Sequence, residues 1–360
     1  MGKQDLNITK IENNTEKQFK KSNDFSYIPT KIRESIENMN KTIRASRFQI
    51  KERTFNITIV DETENKMSST HYSNHIKRIF VWLFVASHFS SLKCSRILNV
   101  NLYFTSAQKF LPASSGETID TEHANTAFTT SCRPEAEINI FREEEWFKVL
   151  IHETFHCMGL DFSEENHARS NEQILRIFPV KSDVRLFETY CETWAELLNV
   201  MFISYYSTKE TENIQAQINK MLEKTKQMMR YEKMYSVFQC VKVLNHFKIK
   251  YKHLHEKKPE SERIRQIRYK ENTQILSYYV LKCILMFDLN AFIEWCVKHN
   301  RSLKFNTSSI NIDNYGKLVE SKYKEPEFLK AIENVEHWFK NNRQYKTKEM
   351  GTLRMSLFEQ

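Results

Sequence analysis

The chain has 360 residues, 40% hydrophobic and 12% aromatic, with a formal charge of +9; that is enough apolar matter for one large core or two modest lobes. Only five glycines and six prolines are present, which argues against low-complexity linkers and against an all-β fold full of tight turns. The 54 Lys and Arg residues are mixed with 45 Asp and Glu along the chain; without a basic arm, the positive balance reads as a solvated surface, not a nucleic-acid interface.

Taken in chain order, residues 1–25 are polar and charged and are expected to be a mobile tail without a secretory leader. The start Met1-Gly2-Lys3 carries Leu6 where a myristoylation signal wants Ser or Thr. A helix is predicted over 30–45. The β-branched and alternating stretch 48–60 predicts one or two strands. An amphipathic helix follows over 71–89, and its apolar run 79–85 is too short to span a bilayer, so no membrane partner is expected. ILNVNLYF at 97–104 reads as a strand. A surface loop around Pro112 and Gly116 is predicted over 108–122. A short strand is expected at 138–141, as the edge strand that pairs with extended substrate, and a helix begins at 143. Beyond a loop-rich stretch to 181, helices are predicted over 184–206 and 213–248. A basic connector spans 250–258, and further helices are expected over 261–287, 291–300 and 325–342. The closing TLRMSLFEQ is apolar enough to dock. The class is α+β. Residues 26–165 form an N-terminal lobe with a small twisted sheet and a site-bearing helix, and 166–360 a mainly helical C-terminal lobe.

The chemistry concentrates in KVLIHETFHCMGLDF, residues 148–162. Residues four apart share one helix face, so His152 and His156 can offer two imidazole nitrogens to one zinc ion. Glu153 can reach a water on that metal without ligating it. Zinc brings the pKa of such a water toward ~7, and a carboxylate placed like Glu153 removes the proton and later passes it to a leaving nitrogen. Apolar Phe147, Val149, Leu150, Ile151 and Phe155 predict that this helix is buried with its polar residues turned inward. Gly159 stands where a left-handed C-cap would end the helix.

A catalytic zinc wants a third protein ligand. In the HExxHxxGxxH/D extension that place is Phe162, and Asp161 falls one residue early. The alternative is an acid on a second helix. FETYCETWAELLN aligns Glu188, Glu192 and Glu196 on one face, a row that is costly to bury without a cation. Glu192 is the expected ligand and Glu196 is expected behind a ligand histidine; Glu188 and Asp161 are the alternatives. A solvated acidic stripe is the plainer reading of the same row.

The stretches NTAFTTSC (125–132), INIFREEEWFKVLIHETFHCMGLDFS (138–163), ETYCETWAELLN (188–199) and TLRMSL (352–357) resemble HExxH proteins encoded by nucleocytoplasmic large DNA viruses. The resemblance covers most of 95–200 and patches beyond. It implies a gluzincin-like, zincin-fold metallopeptidase, intracellular in the host or packaged in virions.

Tyr278 and Tyr279 are candidates to stabilise a developing oxyanion, as are His253 and His255, although aromatic residues at helical spacing usually pack. Seven cysteines, widely spaced and without a CxxC pair, predict a reduced intracellular chain. Cys132 reads as a buried thiol, with an inhibitory zinc ligand as its sharper alternative. The functional expectation is zinc-dependent hydrolysis of a protein or peptide substrate. A catalytically silent zincin-fold virion or scaffold protein, and a basic nucleic-acid-binding protein with an incidental motif, are the alternatives.

Overall fold

The structure is a computed structural model that describes residues 9–11, 25–64, 67–209, 213–342 and 347–359. The chain divides into two compact units. The first comprises Met1–Gln108 and Thr126–Glu164, the second Lys109–Asn125 and Glu165–Gln360. The expected division near residue 165 thus gains an exception, because 109–125 belongs to the second unit.

In the first unit a six-stranded mixed sheet has the order β1-β2-β3-β4-β6-β5. Strand β1 (Thr9–Ile11) lies inside the expected mobile tail and pairs antiparallel with Ala45–Arg47; residues 1–8 and 12–24 of that tail lie outside the described residues. Helix α1 (Thr30–Asn38) stops earlier than predicted. From Lys41 the chain alternates buried and half-buried positions and forms β2 (Lys41–Ile50), which pairs residue for residue with β3 (Arg53–Glu62). The ladder decides against helix here, since Thr42 and Ile43 are β-branched and favour a pleated surface. Helix α2 (Ser69–Phe89), opened by the Ser68 hydroxyl accepting from the His71 amide, carries the crossover to β4 (Ile97–Phe104), parallel to β3. The intervening segment, with helix α3 (Thr121–Ala124), belongs to the second unit. Strand β5 (Ala127–Thr129) pairs antiparallel with β6 (Glu135–Ile140), which is itself parallel to β4.

The strand expected at the edge is therefore interior, and β5 holds the edge. One sheet face is apolar, with Phe55, Ile57, Ile59, Leu98, Val100, Leu102, Ile138 and Ile140 all fully buried. Phe48 on that face packs edge-on against Phe80 of α2. The opposite face carries Asn56 bonded to Asn99, and Asn101 bonded to Glu137 and Asn139. A one-residue slip would drive these amides into the core, so the register is strongly specified. Part of this second face is closed by α1, where Ile32 and Ile36 join Val60, Tyr103 and Phe141. Helix α4 (Trp146–Cys157) packs on β5, β6 and α2.

The second unit is helical: α5 (Ala168–Ile177), α6 (Leu186–Tyr206), α7 (Ile214–His246), α8 (Tyr251–His255), α9 (Pro259–Arg268), a π-helical turn at Leu276–Leu281 leading into α10 (Lys282–Phe287), α11 (Leu289–His299), α12 (Ser309–Lys322), α13 (Pro326–Asn341) and α14 (Lys348–Gly351). Helix α5 occupies the expected loop, α8 the expected connector, and the helix predicted over 261–287 is broken at Tyr269. Helix α12 was unforeseen, although Ile312, Tyr315 and Val319 are buried at helical spacing. Leu197, Val200, Met228, Met229 and Met286 form the core between α6, α7 and α10. The closing segment docks as expected, with Leu353 and Met355 buried. No helix among the described residues is long and apolar enough to cross a membrane.

Candidate metal centre

Every residue of α4 is buried. One side-chain contact ties it to α2: the Trp82 indole donates to the Thr154 hydroxyl at 3.1 Å, and that hydroxyl donates in turn to the Leu150 carbonyl, one turn back in α4, at 2.6 Å. At its C-terminal end, the Ser95 and Ser90 hydroxyls donate to the carbonyls of Cys157 (2.7 Å) and Met158 (2.6 Å), groups a helix end leaves without an internal partner. The buried Arg53 guanidinium holds the 90–95 loop that supplies both serines. It donates to the carbonyls of Ser91 (2.7 Å), Ser95 (2.9 Å) and Ser90 (3.1 Å), and to that of Cys94.

Gly159 then reverses the chain. Its φ is +61°, the left-handed conformation that costs glycine nothing. Its amide donates to the His156 carbonyl at 3.1 Å, and the Leu160 amide to the Phe155 carbonyl at 2.8 Å. This pair of bonds is the Schellman arrangement, and it satisfies two more terminal carbonyls. The reversal brings Asp161 back beside His156: Asp161 Oδ2 lies 2.5 Å from His156 Nδ1. The other carboxylate oxygen accepts from the Ser163 hydroxyl at 2.9 Å and its amide at 3.3 Å.

A carboxylate at this distance accepts, so the contact assigns the proton to Nδ1 of His156 and leaves the lone pair on Nε2, the tautomer that can ligate a metal. That Nε2 stands 3.1 Å from Nε2 of His152. Two nitrogens at ~2.05 Å from a tetrahedral zinc would be about 3.3 Å apart, so the pair fits one ion with a few tenths of an ångström of adjustment. His152, Glu153 and His156 are only 6%, 9% and 8% exposed. Asp161, an alternative ligand in the sequence reading, lies against Nδ1 of His156, the ring nitrogen that faces away from His152. Phe162, at the extended motif's ligand position, is buried and apolar.

Cys94 and Cys132 form a disulfide, which corrects the expectation of a wholly reduced chain and removes Cys132 as a thiolate ligand. Their separation of 38 residues follows no spacing signature, and sheet topology brings them together. Gly159 lies against this bridge: a Cβ there would sit 2.9 Å from Cys94 Sγ. Cys157, Cys191, Cys240, Cys283 and Cys296 are buried and outside disulfides. Burial pushes the Cys157 thiol up to about 12, so it stays protonated beside the histidines.

In the second unit, Glu188, Glu192 and Glu196 are all buried along α6, against the solvated-stripe reading. Glu188 accepts from the Tyr278 hydroxyl at 3.3 Å. Glu196 forms an ion pair with Lys282 of α10, both fully buried. Burial drives the Glu196 carboxyl upward and the Lys282 ammonium opposes this. Tyr279 donates to the Leu353 carbonyl at 2.5 Å and has a structural role. His253 accepts from the Lys250 amide, and burial lowers the pKa of His255 to about 4. Sequence reasoning missed Lys282, although a lysine inside the apolar run VLKCILMF is itself a signal of a buried partner. No protein-family model, curated protein or solved structure matches the chain.

Proposed function

We propose that this chain is a zinc-dependent metallopeptidase of zincin type. The observation that carries the reading is the pair of facing imidazole nitrogens on α4, one of them set in its metal-binding tautomer by Asp161. The resemblance of its motifs to those of gluzincin-like proteins of large DNA viruses favours the same reading. His152 and His156 would hold the metal, and a third ligand is expected from the acid row of α6, with Glu192 the sequence-based choice and Glu188 its alternative. Bound zinc supplies the Lewis acidity that makes water nucleophilic near neutral pH. Glu153, adjacent in sequence to one ligand, takes the proton of the attacking water and returns it to the leaving nitrogen. The edge strand β5 is the strand that would pair with an extended peptide, a recognition mode that reads backbone first.

The test is metal content and peptide hydrolysis measured side by side. Wild type is expected to hold about one zinc per chain and His156→Ala to lose it. Glu153→Gln keeps the metal and loses hydrolysis by roughly 10²–10⁴-fold. A folded wild type that takes up no zinc would end this reading. Zinc uptake without turnover of any peptide would leave a catalytically silent metal-binding protein.

A further inference from the structure

Residues 352–358 follow α14 as an extended segment whose backbone is received by side chains, much as a groove receives a peptide. Four successive carbonyls are taken by four residues: Thr352 by Lys242, Leu353 by Tyr279 at 2.5 Å, Arg354 by Gln239, and Met355 by Lys282 at 2.8 Å. The carboxylate of Glu232 then accepts from the Ser356 hydroxyl (2.6 Å) and from the amides of Leu357 (2.9 Å) and Phe358 (3.1 Å). Asn199 of α6 closes the row on the Phe358 carbonyl at 3.2 Å.

Lys242, Lys282 and Glu232 are at most 2% exposed. Charges at such depth are tolerated only when paired and hydrogen-bonded, and here much of the satisfaction comes from the peptide groups of this strap. Lys282 also joins two structures with one ammonium: it bonds the Met355 carbonyl and pairs with Glu196. Tyr278 and Lys282 are four residues apart, and so address Glu188 and Glu196, the two ends of the acid row.

We propose that the strap 352–358, acting through Lys282, is the positioning element that fixes α6 and so aims its acid row. Lys282 is a positioning residue, since it acts through Glu196. The consequence for metal binding rests on the reading that α6 supplies a zinc ligand; the consequence for α6 itself does not.

The experiment uses the full chain and two variants, Glu232→Gln, which weakens the strap's grip, and Lys282→Met, which removes the shared ammonium. Amide hydrogen exchange of 186–206 and 352–358 is followed together with zinc affinity and the visible spectrum of the cobalt(II)-loaded protein, well below each melting point. In Glu232→Gln, exchange over both segments is expected to accelerate by about tenfold or more, because strap and helix open together. In both variants zinc binding weakens by about tenfold and the cobalt spectrum shifts, an effect of the size seen when an outer hydrogen-bond partner is lost. A strap that exchanges faster while α6 exchanges as in wild type overturns the proposal. Folded variants with loosened α6 but unchanged zinc affinity and cobalt spectrum overturn its extension to the acid row. A wild type that binds neither metal sinks the reading of the site instead, and the exchange data still decide the strap.

Discussion

Replacing Gly159 by alanine separates two costs that the structure places at one residue. The first is conformational: φ is +61°, where an L-residue pays about 1–2 kcal/mol relative to glycine. The second is steric, since the new Cβ would stand 2.9 Å from Cys94 Sγ, held by its bond to Cys132. Overpacking of this kind costs about 1–3 kcal/mol. Together they predict a loss of about 2–5 kcal/mol, a fall in melting temperature of roughly 3–7 °C for a chain of 360 residues. The assay is urea and thermal unfolding of a double-mutant cycle: Gly159→Ala, Cys94→Ala with Cys132→Ala, and all three changes together. Removing the disulfide should by itself cost about 4 kcal/mol for a 38-residue closure. In that background the steric cost vanishes and only the left-handed cost stays, so a coupling of about 1–3 kcal/mol is expected. Gly116→Ala is the control, because its φ is +86° yet nothing lies within 4 Å of the added carbon. Strict additivity within ~0.5 kcal/mol would refute the close approach, and a Gly159→Ala protein as stable as wild type would refute the cap itself.

Two further outcomes are expected. Asp161→Asn removes the charge from the partner of His156 Nδ1 and should weaken zinc binding about 10–100-fold in chelator competition; an unchanged affinity would show that the ring is oriented by something else. His75 lies stacked on Trp146 with ring centroids 4.6 Å apart, and burial above all lowers its pKa to about 4 from 6.5. Between these values the unfolded chain binds the proton and the folded chain resists it, so this contribution to stability is lost as pH falls from about 6.5 toward 4. Urea midpoints across that window should fall less steeply in His75→Phe than in wild type; equal slopes would remove His75 as the cause.

Much of α4 was legible in the sequence because its information is local. A four-residue spacing sets His152 and His156 on one helix face whatever surrounds them, the apolar residues among them announce burial, and Gly159 marks the only kind of residue that ends the helix in a left-handed turn without strain. Strand β4 was equally plain, since its alternation is a property of eight consecutive residues. The same reasoning erred where a local preference met a distant partner. Residues 41–45 became strand because β3 offered a full ladder, and the strand at 135–140 lies inside the sheet because β5 pairs on its outer side.

What the sequence by itself determined about this protein is the pair of histidines on one helix face, the glutamate beside them, the cap and the α+β class, all set by periodicity and by residue chemistry over a few turns. Tertiary structure decided which oxygen stands behind His156, which cysteines join, and how the buried acids of α6 are held. Those outcomes depend on backbone turns and on pairings across 38 and 86 residues. Such contacts follow from the free energy of burying the whole core and leave no spacing in the chain to read.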